Sequence, residues 1–103
     1  MISRIKKRLI AYKPKEIDCV RSMWAGVVIP IYEADNNLYI ILTKRAQTVR
    51  YHKGEVSFPG GMYEEEDGDR MVTAIRECCE EIGVKKKDME ILGRIDDMYT
   101  MTG

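Results

Sequence analysis

Apolar and polar positions alternate with two different periods along this chain, and the change of period marks out its elements. From Ile2 to Tyr12 the apolar side chains are Ile2, Ile5, Leu9 and Ile10, with Lys6, Lys7 and Arg8 between them. That spacing predicts a short basic amphipathic helix, ended by Pro14. Ala25 to Tyr32 (AGVVIPIY) is nearly all apolar and rich in β-branched residues, so it predicts a buried strand, with Pro30 marking a strand end, bulge or edge. The run from Glu33 to Asn37 has turn chemistry. Leu38 to Thr43 (LYIILT) predicts a second strand and hence a hairpin. A polar loop follows from Arg45 to Gly54. A short strand, Glu55 to Phe58, then leads into a glycine loop at Pro59-Gly60-Gly61.

The period then becomes helical. Met71, Ile75, Cys78 and Ile82 lie four, three and four residues apart, one stripe of a helix predicted from Asp69 to Ile82. Gly83 stands where a helix ends, and Lys85, Lys86 and Lys87 follow where the helix dipole favours cations. Met89 to Ile95 predicts a last strand, with Gly93 as a bulge. No internal repeat or low-complexity segment is present.

Composition excludes more than it identifies. The chain has 103 residues, which allows one domain at most. Lysine plus arginine equals aspartate plus glutamate at 17 each, so no net field draws the chain to nucleic acid or a membrane surface, and neither is expected as a partner. The three cysteines, Cys19, Cys78 and Cys79, are odd in number and lack metal-ligand spacing. A reducing compartment is therefore expected, with cytoplasmic as the default; no apolar run reaches membrane-spanning length.

The candidate chemistry lies on the predicted helix. Glu77, Glu80 and Glu81 are three and four residues apart and so share one face, where like charges repel. A divalent cation would convert that repulsion into binding, since carboxylates and water are what Mg²⁺ accepts. Taken alone, such a cluster is more often a solvated face.

Its surroundings change the weighing. Gly61, an acidic loop and then R-E-C-C-E-E-I-G-V, Arg76 to Val84, together resemble the Nudix box: a glycine, five residues, an acidic residue, a spacer, then R-E-U-x-E-E-x-G-U with U bulky and apolar. The chain departs from it in two ways. With Gly61 as the opening glycine, Asp67 takes the acidic place and the spacer is eight residues instead of the common seven; Cys78 fills an apolar slot. Upstream, LTKRAQTVRYHKGEVSFPGG, Leu42 to Gly61, resembles the signature of the CoA-diphosphatase branch of the same family, which tends to carry the longer spacer.

The resemblance implies an α/β (α+β) fold of the Nudix α/β/α sandwich type around a mixed sheet, and a need for Mg²⁺ or Mn²⁺. It implies hydrolysis of a pyrophosphate bond in a nucleoside diphosphate derivative. For this branch that means CoA or acyl-CoA, cleaved to 3′,5′-ADP and a 4′-phosphopantetheine product. By the same analogy Glu77, Glu80 and Glu81 are metal ligands, joined by the Gly61 or Gly60 carbonyl, and one glutamate is alternatively the general base. Arg76 would orient a glutamate through an ion pair; Asp67 would either pair with Arg76 or cap the helix. Arg45, Arg50, His52 and Lys53, with Gly60, are the candidates for the phosphates of a small nucleotide substrate. Trp24, Tyr39 and Tyr51 are either adenine platforms or packing aromatics.

The resemblance covers about residues 25 to 103, and family domains continue with further strands and a second helix. The expectation is thus a single, incomplete domain over residues 1–103, with residues 1–14 its N-terminal helix and an exposed sheet edge open to self-association. Two alternatives stay open: an inactive relative serving as a binding fragment, and a hydrolase of another nucleotide such as ADP-ribose.

Overall fold

The computed structural model describes residues 1–44 and 54–98. Two helices and six short strands are present among them, and the chain divides into two compact units, Met1–Cys19 with Glu90–Gly103, and Val20–Met89. No helix among the described residues is long and apolar enough to cross a membrane.

The larger unit is built from three antiparallel strand pairs. The first strand, β1 (Ala25–Val27), pairs with β6 (Gly60–Met62); β2 (Ile31–Ala34) pairs with β3 (Asn37–Ile40); β4 (Thr43–Lys44) pairs with β5 (Val56–Ser57). The single strand expected over Ala25–Tyr32 is thus two. The break falls at Val28–Pro30, because proline has no N–H to give a ladder. Backbone bonds from the Val28 amide to the Pro59 carbonyl (2.9 Å) and from the Ile41 amide to the Pro30 carbonyl (3.1 Å) carry the pairing across the break. The hairpin β2–β3 turns at Asp35 and Asn36, whose φ values of 52° and 63° are those a two-residue turn of the primed kind requires. Asn and Asp tolerate that region better than other non-glycine residues, which is why this pair serves without a glycine.

Helix α2 (Arg70–Ile82) lies against β1 and β6. Asp69 begins it by accepting a hydrogen bond from the Met71 amide, and Gly83 ends it at a φ of 72°. Its buried residues are Thr73, Ala74 and Cys78, whereas Met71, expected in the apolar stripe, is exposed. The glycines opposite explain the shift. A Cβ on Gly26 would collide with the Arg70 carbonyl and come within 2.7 Å of the Ala74 amide nitrogen. The helix backbone approaches the strand so closely that only small helix residues fit between them, so closeness of approach rather than apolarity selects the contact face.

Two further expectations are corrected here. Gly60 and Gly61 form strand β6, not a loop, for the same reason: their lack of side chains admits β1 on one side and α2 on the other. Met89 to Ile95 forms no strand, apart from Met89 closing a 3₁₀ turn over Lys86–Asp88.

In the smaller unit, helix α1 (Ile2–Ala11) runs as expected, with Ile2, Ile5 and Leu9 half-buried and Ile10 exposed. Gly93 is a point of close approach instead of a bulge, since a Cβ there would lie 2.7 Å from the Leu9 Cβ. Asp96 accepts hydrogen bonds from the Tyr12 hydroxyl (2.7 Å) and the Lys15 amide (2.8 Å), and Asp97 from the Ile17 amide (3.0 Å). Side-chain carboxylates here take amides that a neighbouring strand would otherwise bond, which is how this segment is held without a ladder. The Asp96 bond pushes the Tyr12 hydroxyl pKa up, and the same bond holds the Asp96 carboxyl below its ordinary value.

Candidate active site

The acidic site starts in the loop between β6 and α2. Residues Glu65–Asp67 make one 3₁₀ turn, and Gly68 leaves it at a φ of 75°. The Asp67 carboxylate accepts from the Glu64 amide at 3.0 Å, closing the turn on itself. This turn lies just ahead of the long spacer of the sequence motif: it presents Asp67, and the left-handed Gly68, first residue of the spacer, carries the chain on to the helix cap at Asp69.

Asp67 then crosses to the helix. Its Oδ1 accepts from Arg76 Nε at 2.9 Å and its Oδ2 from an Arg76 terminal nitrogen at 3.0 Å, the two-pronged geometry that suits a guanidinium. Oδ2 also accepts from the Thr73 hydroxyl at 2.8 Å. The Asp67 side chain is 5% exposed. The Arg76 bonds hold its carboxyl well below the usual carboxylate range, against the opposing effect of burial, and push Arg76 further up. Of the two roles open to Asp67 from sequence, it therefore takes the ion pair; Asp69 caps the helix.

With two nitrogens committed to Asp67, Arg76 extends its other terminal nitrogen to Glu77 Oε1 at 3.0 Å and to Glu80 Oε1 at 3.7 Å. Glu64 lies 4.0 Å from the guanidinium on the far side. One cation thus faces four carboxylates and cannot neutralise them all.

Glu77 differs from the other two box glutamates in position. It lies on the sheet-facing side of α2, with its side chain 21% exposed. A Cβ on Gly61 would come within 2.6 Å of Glu77 Oε1, so the carboxylate occupies the space that the missing side chain leaves. Glu80 is 59% exposed and Glu81 is exposed, with no partner for Glu81 among the described residues. The three carboxylates and the neighbouring glycine carbonyls are hard oxygen donors, which fit Mg²⁺ or Mn²⁺ in kind. They are not drawn into one ligating cluster: among the described residues no three histidine, cysteine or acidic side chains are so arranged.

The structure therefore brings together Gly61, Arg76, Glu77 and, at longer range, Glu80, and leaves Glu81 to solvent. Gly60 sits one residue before Gly61 in β6, packed on β1. Arg45, Arg50, His52, Lys53 and Tyr51 lie outside the described residues. Trp24 is packed, with Arg70 4.6 Å and Arg21 5.6 Å from its ring centre and Tyr63 edge-on at 5.0 Å; Tyr39 stacks on Tyr32 at 5.1 Å. Cys78 is buried, which raises its thiol pKa. Thr73 was not among the residues singled out by sequence. The available signal was its place three residues before Arg76, on the same side of the helix.

A family model described as the NUDIX domain matches residues 23–103. The chain is 39% identical over 88 residues to Nudix hydrolase 22, chloroplastic, of Arabidopsis thaliana, covering 84% of this chain and 26% of that protein. It is 34% identical over 86 residues to the Uncharacterized Nudix hydrolase NudL of Enterobacter sp. (strain 638), covering 84% and 44%. It is 46% identical over 66 residues to the Peroxisomal coenzyme A diphosphatase ndx-8 of Caenorhabditis elegans, covering 62% and 28%. The chain thus spans about a quarter to under half the length of these relatives. Its matched residues 23–103 carry both the loop and the acidic helix, and the chain belongs to the Nudix family.

Proposed function

We propose that this chain forms part of a metal-dependent pyrophosphohydrolase whose substrate is CoA or acyl-CoA, releasing 3′,5′-ADP and the matching 4′-phosphopantetheine. The hydrolase class follows from family membership together with the excess of carboxylate around Arg76. The CoA assignment is carried by one observation: the segment Leu42–Gly61, with its branch signature, falls in a chain 46% identical over 66 residues to a relative named as a coenzyme A diphosphatase.

In this reading Glu77, Glu80, Glu81 and the Gly61 carbonyl would hold Mg²⁺ or Mn²⁺. The bound ion supplies charge neutralisation of the pyrophosphate and lowers the pKa of water. Glu77 or Glu80 accepts the proton of the attacking water as general base. Arg76 acts through Glu77, fixing the direction of its carboxylate. Arg45, Arg50, His52 and Lys53, with the Gly60 backbone, bind the substrate phosphates, the guanidinium forks matching phosphate oxygens. Residues 1–103 are proposed as one domain with an N-terminal helix, in a reducing, cytoplasmic compartment.

The test is a product assay on the 103-residue chain loaded with Mg²⁺ or Mn²⁺, offered CoA, an acyl-CoA and ADP-ribose in competition. Preferential release of 3′,5′-ADP from CoA or acyl-CoA is expected. Faster cleavage of ADP-ribose would reassign the substrate. No turnover by folded, metal-loaded protein would favour the reading as an inactive binding fragment.

A further inference from the structure

Thr73 is completely buried and polar, and it lies on the helix face that packs on β1. A buried hydroxyl costs stability unless it is hydrogen-bonded, so its partner indicates why it is there. Its nearest acceptor is Asp67 Oδ2 at 2.8 Å; the Asp69 carbonyl, 3.3 Å away, is the weaker alternative. Thr73 and Arg76 stand at i and i+3 on one helix and grip the same carboxylate. Arg76 takes both oxygens, and Thr73 takes the oxygen that also receives the Glu64 amide. Asp67 is thereby held from three directions: its own turn, the helix through Thr73, and the guanidinium. Remove the hydroxyl, and the Asp67 side chain is tied to the helix only through the flexible arginine.

We propose that Thr73 is a positioning residue for the acidic site. Its hydroxyl fixes Asp67, Asp67 fixes the plane of the Arg76 guanidinium, and the remaining Arg76 nitrogen fixes Glu77 at 3.0 Å. The rigid end of this relay is sealed from water, and branching at its Cβ leaves it two χ1 choices in a helix, of which the bond to Asp67 selects one. A serine keeps the donor; a valine keeps the shape and loses it. The functional consequence rests on the metal-binding role proposed above for Glu77, whereas the geometric relay does not.

The experiment compares Thr73→Val and Thr73→Ser with the unmodified 103-residue chain by two readouts. The first is hydrogen exchange at Arg76 Nε followed by NMR, without metal or substrate. The second is Mn²⁺ affinity, measured by electron paramagnetic resonance of the free ion. Thr73→Val is expected to speed the Nε exchange about tenfold, the scale of one hydrogen bond to a charged group, and to weaken Mn²⁺ binding about tenfold, the lower range for residues that orient a ligand. Thr73→Ser is expected to restore both to within about twofold of the unmodified chain, on the same scale. If Thr73→Val does not fold, Thr73→Ala is measured in its place. Unchanged Nε exchange in the hydroxyl-less variant, or equal loss in the serine variant, overturns the proposal. If the unmodified chain binds no Mn²⁺, the metal-binding reading of the site fails, while the exchange measurement still decides whether Thr73 positions Arg76.

Discussion

The two ends of the acidic face of α2 carry the same residue type in opposite circumstances. At one end Glu77 lies over Gly61, mostly shielded, with an oxygen fixed by Arg76, which is itself locked by Asp67. At the other, Glu80 has only a 3.7 Å contact with the guanidinium, and Glu81 stands in solvent. Under the proposed function, the position of the first carboxylate is supplied in advance and the others are organised by what binds. A site arranged this way has a rigid reference point and an adjustable remainder. Damage at the two ends should therefore register differently, in stability at the first and in activity alone at the second.

The widest separation is expected from Glu81→Gln. Under the proposed function, hydrolysis should fall by more than about 100-fold, beyond what residues behind the ligands cost. The melting temperature should not move, because the side chain is exposed and unpaired among the described residues. Gly61→Ala comes next: the new methyl enters the space of the Glu77 carboxylate, so activity should drop about 10–100-fold. Because a flexible side chain gives way there, its stability loss in urea titrations should be smaller than that of Gly26→Ala. At Gly26 the added carbon meets the Arg70 carbonyl and the Ala74 amide, both backbone, and the cost should be about 1–3 kcal/mol. Asp69→Ala removes the helix cap and should cost about 1 kcal/mol by the same titration.

The gentlest perturbation is pH. Asp67 is more acidic in the folded chain than in the unfolded one, so its contribution is present above about pH 4, the unfolded value. That contribution is lost as pH falls from there toward the lower folded value. Thermal melts at descending pH should show wild type approaching Asp67→Asn only in acid. A constant gap between them would mean that the ion pair does not stabilise the fold.

The sequence was most legible where a local rule acts alone. Helix α2 lies within a residue of the expected Asp69–Ile82, and Gly83 ends it as expected, because a left-handed stop acts over one turn; Asp69, read as the first helical residue, is instead its cap. The hairpin at Asp35–Asn36 was equally visible in its turn residues. What escaped depends on partners distant in the chain. Gly60 and Gly61 read as loop because a glycine pair usually is one; only Gly26 and α2, brought close, make them a strand. Met71 read as core and is exposed because the glycine-lined strands admit Thr73 and Ala74 instead. Within the site, the Arg76 and glutamate spacing was legible, but the choice between pairing and capping for Asp67 was not. It turns on Thr73, whose one signal is its place three residues before Arg76, and on the 3₁₀ turn, which has no periodic signature.

Mn²⁺ titration of the 15N-labelled 103-residue chain, read by paramagnetic broadening of backbone amides, tests the division of the helix most directly. The predicted result is early broadening that includes Gly61, Glu77, Glu80 and Glu81, with the Glu81→Gln variant shifted to weaker binding and a Glu66→Gln variant unshifted. Binding that is indifferent to Glu81→Gln, or weakened as much by Glu66→Gln, would contradict it.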